Sequence, residues 1–477
     1  MKKKFLAIMM AAILCLPVLM LAGCGSNKQA AKGDFIVPEE GFDTSKEITV
    51  TFYHTMGANL REVLDKYIVE FNKLYPNIKI EHKQVGSYDD VRDQIKTEIT
   101  VGNQPNIAYC YPDHVALYNL AKAVVPLDSI INSEIEVKRA DGTTEVLGLS
   151  QAQKDDFIKG YYDEGAQFGD GKMYSLPMSK STEVLYYNKT FFDKNGLKVP
   201  TTWDEMEKVC EQIKKIEPDS IPLGYDSEAN WFITMCEQYG SDYTSATGDH
   251  FLFDNDQNRS FVARFRDWYQ KGYVTTKELS GAYTSDLFKM DPNEKGNSYM
   301  CIGSSAGASY QRPTKTGDKY LFDVDIATVP QVNPDKPKVI SQGPSLCIFN
   351  KANPQEVLAS WLFVEYLTTT PEFQADFSMT SGYVPVIKSA AEDAVYKSDF
   401  LDLADGGDYI QALSVKVGLK QEAAYYTSPA FNGSSIARDQ VGLLMQQCLS
   451  AKDNGDVNKL IKKAFEDAIA ECKYQAG

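Results

Sequence analysis

Gly303-Ser304-Ser305-Ala306-Gly307 has the form of a nucleophile elbow, the turn that exposes a serine hydroxyl for acyl transfer. That chemistry needs a histidine base later in the chain, and all four histidines (His54, His82, His114, His250) come earlier. The stretch reads instead as a Gly/Ser-rich loop presenting hydroxyls and backbone N–H groups. Asp254-x-Asp256-x-Asn258 opens like a calcium loop. Arg259 stands where glycine is required and Phe265 where the bidentate glutamate belongs, so a solvated turn is expected. Walker, His-Glu-x-x-His and dinucleotide signatures are absent. Asp89-Asp90 and Asp163-Glu164 are neighbouring carboxylates, but nothing sets either pair across a cleft as glycoside hydrolysis demands, and both read as surface charge. No catalytic residue, metal site or cofactor is expected. Aromatic residues beside small polar ones stand out: Gly86-Ser87-Tyr88, Tyr109 to Pro112, Asn230-Trp231 and Ser381-Gly382-Tyr383. A polyol or sugar has apolar C–H faces and a rim of hydroxyls, so flat rings with short hydrogen-bonding groups suit it.

The chain has 477 residues, enough for two or three folded units. Hydrophobic residues at 43% and charged residues at 24% exclude wholesale disorder, collagen and a polytopic membrane protein. Asp and Glu outnumber Lys and Arg by 65 to 49, giving −16. The first 23 residues hold three Lys and no acid, so a chain without them would carry −19. Such a balance argues against nucleic acid as a partner, since phosphate backbones need a basic face. Lys2 to Lys4 precede an apolar run, Phe5 to Ala22, long enough for a membrane span. Pro17 and the ending Leu21-Ala22-Gly23-Cys24 favour a cleaved signal peptide over residues 1–23. That ending resembles the bacterial lipobox, which implies a diacylated Cys24 as the mature first residue and an anchor on the outer face of the membrane. Residues 24–46 then read as a flexible tether. The seven remaining cysteines are odd in number, widely spaced and without Cys-x-x-Cys, so buried free thiols are expected rather than disulfides or a zinc site.

Ile48, Val50 and Phe52 alternate as in a half-buried strand. Leu60, Val63, Leu64, Tyr67, Ile68, Phe71 and Leu74 follow at helical spacing, stopped by Pro76. Ile78 and Ile80 begin a second strand; Val91, Ile95 and Ile99 mark a helix closed by Gly102. Asn106 to Cys110 reads as a third strand and Val115 to Ala123 as a third helix. This alternation predicts an α/β protein with largely parallel, doubly wound sheets. Thr202-Trp203-Asp204-Glu205 is a capping box ahead of Met206, Val209, Cys210 and Ile213. Asn353-Pro354 opens another helix, and Val457 to Cys472 forms the last. Two α/β lobes fit this length, with the ligand in a crevice at strand ends.

Four ordered strings resemble the extracellular solute-binding proteins of bacterial carbohydrate ABC importers: Gly171-Lys172-Met173-Tyr174-Ser175-Leu176-Pro177, Leu185-Tyr186-Tyr187-Asn188-Lys189, Pro200-Thr201-Thr202-Trp203 and Thr380-Ser381-Gly382-Tyr383-Val384-Pro385-Val386. The resemblance implies a type II-like periplasmic-binding-protein fold, with two lobes joined by hinge crossovers near Ser179–Glu183, Val339–Gln342 and Gly382–Tyr383. Residues 47–180 with 342–382 would form one lobe, and 181–341 with 383–477 the other. The glycerol-3-phosphate-binding branch is the nearest. Carried over residue by residue, it implies ligand contacts from Tyr88, Ser181, Ser304, Ser305, the Gly343 amide, Tyr383 and Arg438, with Trp231 bordering the pocket. The branch's glycerol-binding glutamate falls on Pro112, so Asp113 takes its place only after a one-residue shift. A phosphate wants a guanidinium, hydroxyls and free N–H groups, which Arg438 and its neighbours offer. The expected protein is a monomer with no cofactor, capturing a phospho-polyol or small carbohydrate by hinge closure and delivering it to the permease subunits. The same fold with a neutral oligosaccharide is the second expectation, and an extracellular glycan-acting enzyme a distant third.

Overall fold

The computed structural model describes residues 34–168, 170–289, 298–406, 409–452 and 455–476; the leader, Cys24 and the first part of the tether lie outside them. The alternation beginning at Ile48 becomes the strand Ile48–His54, with every second side chain buried. It pairs in parallel with Ile78–Gln84 on one side and Ile107–Cys110 on the other. The helices Ala58–Leu74 and Tyr88–Val101 make these crossovers. Ser87 and Asp90 exchange both capping-box bonds at the start of the second helix, and Gly102 closes it in the left-handed region. Ser345–Ile348 and Ser175–Pro177 then extend the sheet in antiparallel fashion, giving five strands.

The second sheet runs Tyr425–Tyr426, Val339–Gln342, Ser181–Asn188, Met300–Ser304, Leu223–Tyr225, Val274–Thr276, and Val324–Ala327 also pairs with Ser181–Asn188. Ser181–Asn188 lies antiparallel to all three of its neighbours. The sheets are therefore mixed rather than largely parallel, because strands that have just crossed between lobes enter from the opposite end. The Thr202–Glu205 capping box makes both its bonds, and Trp203–Ile216 buries Met206, Val209, Cys210 and Ile213. The third expected helix forms as Pro112–Asn119, earlier than its apolar residues alone predict. Pro112 occupies the first turn, where its fixed φ suits a helix and its missing N–H costs nothing.

Each sheet has its own apolar core. Phe52, Phe71, Leu346, Trp361 and Phe363 centre the first, and Trp203, Trp231, Phe265, Trp268 and Phe465 the second. All seven described cysteines are buried and free. The chain passes from the first sheet to the second between Pro177 and Ser181, and returns between Gln342 and Ser345. Reciprocal backbone bonds of 3.1 and 2.6 Å tie Lys180 in the outgoing passage to Val384, in the segment after Gly382. Packing after Gly382 differs from the expected boundary: Val384, Val386, Ile387, Ala390 and Tyr396 fill the first core. The later helix Ser434–Ser450 packs in the second. No helix among the described residues is long and apolar enough to cross a membrane.

Candidate functional site

The two lobes meet around a cavity of about 620 Å³, solvent-facing mouth included. From the first lobe come Tyr111, Pro112, Asp113 and Glu164; from the second come Tyr243, Thr244, Ser428 and Arg438, and the strand Val339–Gln342 supplies Ile340, Ser341 and Gln342. Pro112 starts its helix just after a strand end, and this puts Asp113 in the first turn, at the rim of the sheet. Arg438 projects from the first turns of Ser434–Ser450. Asp113 and Arg438 thus come from opposite lobes and face the same space.

Arg438 is held from behind. Its Nη2 donates to Asn230 Oδ1. Asn230 Nδ2 in turn donates to Glu183 Oε1 at 2.8 Å and Gln342 Oε1 at 3.0 Å, and Tyr225 donates to Glu183 Oε2 at 2.5 Å. Burial works against the Arg438 charge, but the Asp113 carboxylate and the Tyr243 and Tyr111 phenols hold the guanidinium above its ordinary value. Burial also pushes the Glu183 carboxyl up to about 7, against the lowering effect of its Tyr225 and Asn230 hydrogen bonds and the Arg438 charge.

Several polar atoms on this wall have no hydrogen-bond partner among the described residues. They are Asp113 Oδ2, Glu164 Oε2, Thr244 Oγ1, Ser341 Oγ and Ser428 Oγ, all buried. Two of these are carboxylate acceptors and three are hydroxyls. Orphaned buried groups of this kind are costly.

The expected site residues divide into groups. Tyr88 and Tyr383 meet hydroxyl to hydroxyl at 3.2 Å, and the Tyr88 ring lies 4.8 Å from Tyr111, centroid to centroid, behind the cavity wall. Ser181 accepts from Ser304 Oγ at 3.3 Å, in the strand where it pairs with the cavity residue Gln342. Ser305 is wholly buried, and its Oγ accepts the Thr182 N–H at 3.2 Å. Gly343 has φ +102, and a Cβ there would sit 2.5 Å from the Ser179 carbonyl oxygen, so the return crossover needs glycine. Trp231 does not line the cavity. It is wholly buried, 5.0 Å from the Tyr225 ring and 4.1 Å from that of Phe265, and works as core. The Asp254 motif is a helix start, with Asn255 capping Asp256–Gln270 and Arg259 pairing with Asp254 and Asp256. No cluster of metal-ligand residues occurs among the described residues.

Glu164 is not surface charge: it is 2% exposed and pairs at 2.8 Å with Lys180, which is 0% exposed. No local pattern marks it, because its partner lies 16 residues away across the crossover. Thr244, Ser341 and Ser428 carried no signal either, whereas Tyr111 sits in a stretch whose composition pointed to a ligand surface.

Residues 66–401 match the family of bacterial extracellular solute-binding proteins. The sn-glycerol-3-phosphate-binding periplasmic protein UgpB of Salmonella typhimurium is 25% identical over 382 residues, covering 76% of this chain and 79% of its own. Two solved structures share the fold. UgpB from Mycobacterium tuberculosis, in complex with glycerophosphocholine, superposes with a TM-score of 0.70 at 18% identity over 90% of this chain and 99% of its own. The cyclic alpha-maltosyl-1,6-maltose binding protein from Arthrobacter globiformis gives 0.66 at 18% identity over 90% and 100%. With two lobes closing on a polar cavity and a family match over most of its length, the chain belongs to the bacterial extracellular solute-binding proteins and serves an ABC importer as its substrate-binding component.

Proposed function

We propose that the protein captures a phosphorylated polyol of the glycerol-3-phosphate class outside the membrane, held there by acylated Cys24, and closes its lobes on it for delivery to the permease. One observation carries this reading: a guanidinium and a carboxylate with a free oxygen, Arg438 and Asp113, face one cavity from opposite lobes. The guanidinium suits an anion and the carboxylate accepts ligand hydroxyls, so a ligand anionic at one end and hydroxylated at the other spans the cleft. Contacts from both lobes favour the closed state over the open one. The names of the relatives and of one structural neighbour agree with this class of ligand.

A neutral oligosaccharide is the second reading, favoured by Tyr111 and Tyr243 on the cavity wall, which offer flat faces to a sugar. Calorimetric titration of residues 24–477 carrying Cys24→Ser separates the two. Micromolar binding of glycerol-3-phosphate with no response to maltose supports the first; the reverse result supports the second. The anchor is tested separately, because Cys24→Ser in cells should move the protein from the membrane fraction into solution.

A further inference from the structure

We propose that Glu164 is a ligand-binding residue, accepting a hydroxyl of the bound polyol through Oε2 while its other oxygen ties that contact to the hinge. The proposal rests on the reading of the interlobe cavity as a polyol site. Glu164 lines that cavity, is almost wholly buried, and its Oε2 has no hydrogen-bond partner among the described residues. A buried carboxylate oxygen left without a donor is costly, and a ligand O–H placed there removes that cost. Oε1 is already committed to Lys180 Nζ at 2.8 Å. Lys180 also donates to the Gly343 carbonyl and Ser345 Oγ, both at 3.3 Å, and its backbone bonds to Val384. One lysine therefore gathers the outgoing crossover, the return crossover and the segment beside them, its ammonium holding the first two and its backbone the third. Its charge neutralises Glu164, so a second carboxylate on the wall does not repel a ligand anion at Arg438. With Asp113 on the same lobe, the first lobe presents two hydroxyl acceptors, and the favoured ligand carries at least two hydroxyls beyond its anionic end.

Glu164→Gln tests this, together with Glu164→Gln/Lys180→Gln, which avoids leaving an unpaired buried ammonium. Affinity is measured by calorimetry for glycerol-3-phosphate, for its two deoxy analogues (1,2-propanediol 1-phosphate and 1,3-propanediol phosphate) and for maltose, with thermal unfolding as the check on folding. The expected result is a loss of tenfold or more for the fully hydroxylated ligand in the folded variants. That loss should shrink to threefold or less for the analogue lacking the hydroxyl that Glu164 holds, a coupling that a purely structural role does not produce. For maltose, a tenfold loss also supports the contact. If wild type binds one of these ligands and both variants match it within twofold, or lose affinity equally for every analogue, Glu164 is structural and the proposal is overturned. Binding of none of them by wild type up to 10 mM, a ceiling about tenfold above a ~1 mM dissociation constant, overturns the ligand reading and this proposal with it.

Discussion

Replacing Arg438 with alanine should cost the protein its anionic ligand while leaving its fold intact. Among the described residues the guanidinium makes one hydrogen bond, through Nη2 to Asn230, and the group otherwise faces the cavity beside Asp113. A charge-assisted hydrogen bond contributes about 1.5–3 kcal/mol, and removing one partner of a buried charge pair costs about 2–5 kcal/mol. Glycerol-3-phosphate should therefore bind thirtyfold to several thousandfold more weakly, that is, about 2–5 kcal/mol. Arg438→Lys keeps the charge but not the planar fork, so its loss should fall between wild type and alanine. Maltose, lacking charge, should lose less than tenfold. Titration calorimetry gives the affinities and circular dichroism confirms folding. Unchanged phosphate-ester affinity in a folded Arg438→Ala protein would refute the assignment of the guanidinium to an anion and favour the neutral-sugar reading.

Three further outcomes follow from the same geometry. Glu183 has a folded carboxyl pushed from 4.5 up to about 7 by burial, so its contribution to stability is fully present below pH 4.5 and is lost as pH rises through 7. Glu183→Gln should gain on wild type by roughly 3 kcal/mol between those limits, read from chemical denaturation at pH 4.5 and 7.5; parallel curves would show that the carboxyl is not titrating. Trp231→Phe should lower the melting temperature but leave ligand affinity within twofold, since the indole lies in the second core; a large selective loss of affinity would put it back at the pocket. Arg92 on the first lobe bonds Ser435 Oγ at 3.0 Å and pairs with Asp439 at 3.3 Å on the second. Arg92→Ala should speed ligand release several-fold in stopped-flow traces with little change in association, because the contact exists only once the lobes meet.

Much of the framework was legible because it rests on local rules. The alternation at Ile48–Phe52, the stop at Pro76 and the Thr202–Glu205 box each use residues within one turn or strand, and the structure shows all three. The site was legible only in part. Asp113 and Arg438 line the cavity and Tyr88 lies behind its wall, but Ser305 and Trp231 are spent on packing and backbone bonds. Nothing in the sequence separates those fates, since the partner of a buried hydroxyl is set by tertiary contacts, as Ser305 and the Thr182 N–H show, and not by its neighbours in the chain. Glu164 shows the same limit from the other side: next to Asp163 it looks like a solvated pair, and only the crossover brings Lys180 to it.

The orphaned groups also explain why closure should wait for a ligand. In a closed, empty cleft, Asp113 Oδ2, Glu164 Oε2, Thr244 Oγ1, Ser341 Oγ and Ser428 Oγ would be taken from water without replacement. At about 1–3 kcal/mol each, that penalty outweighs what the Arg92–Asp439 pair returns across the lobes. A ligand that satisfies all five removes the penalty only in the closed state, and a differential of about 5.5 kcal/mol is enough to turn a population from mostly open to mostly closed. A molecule matching Arg438 but lacking hydroxyls relieves too few of these groups to do so. On the proposed ligand, selectivity for a hydroxylated anion and coupling of binding to closure would both follow from one arrangement of unpaired atoms.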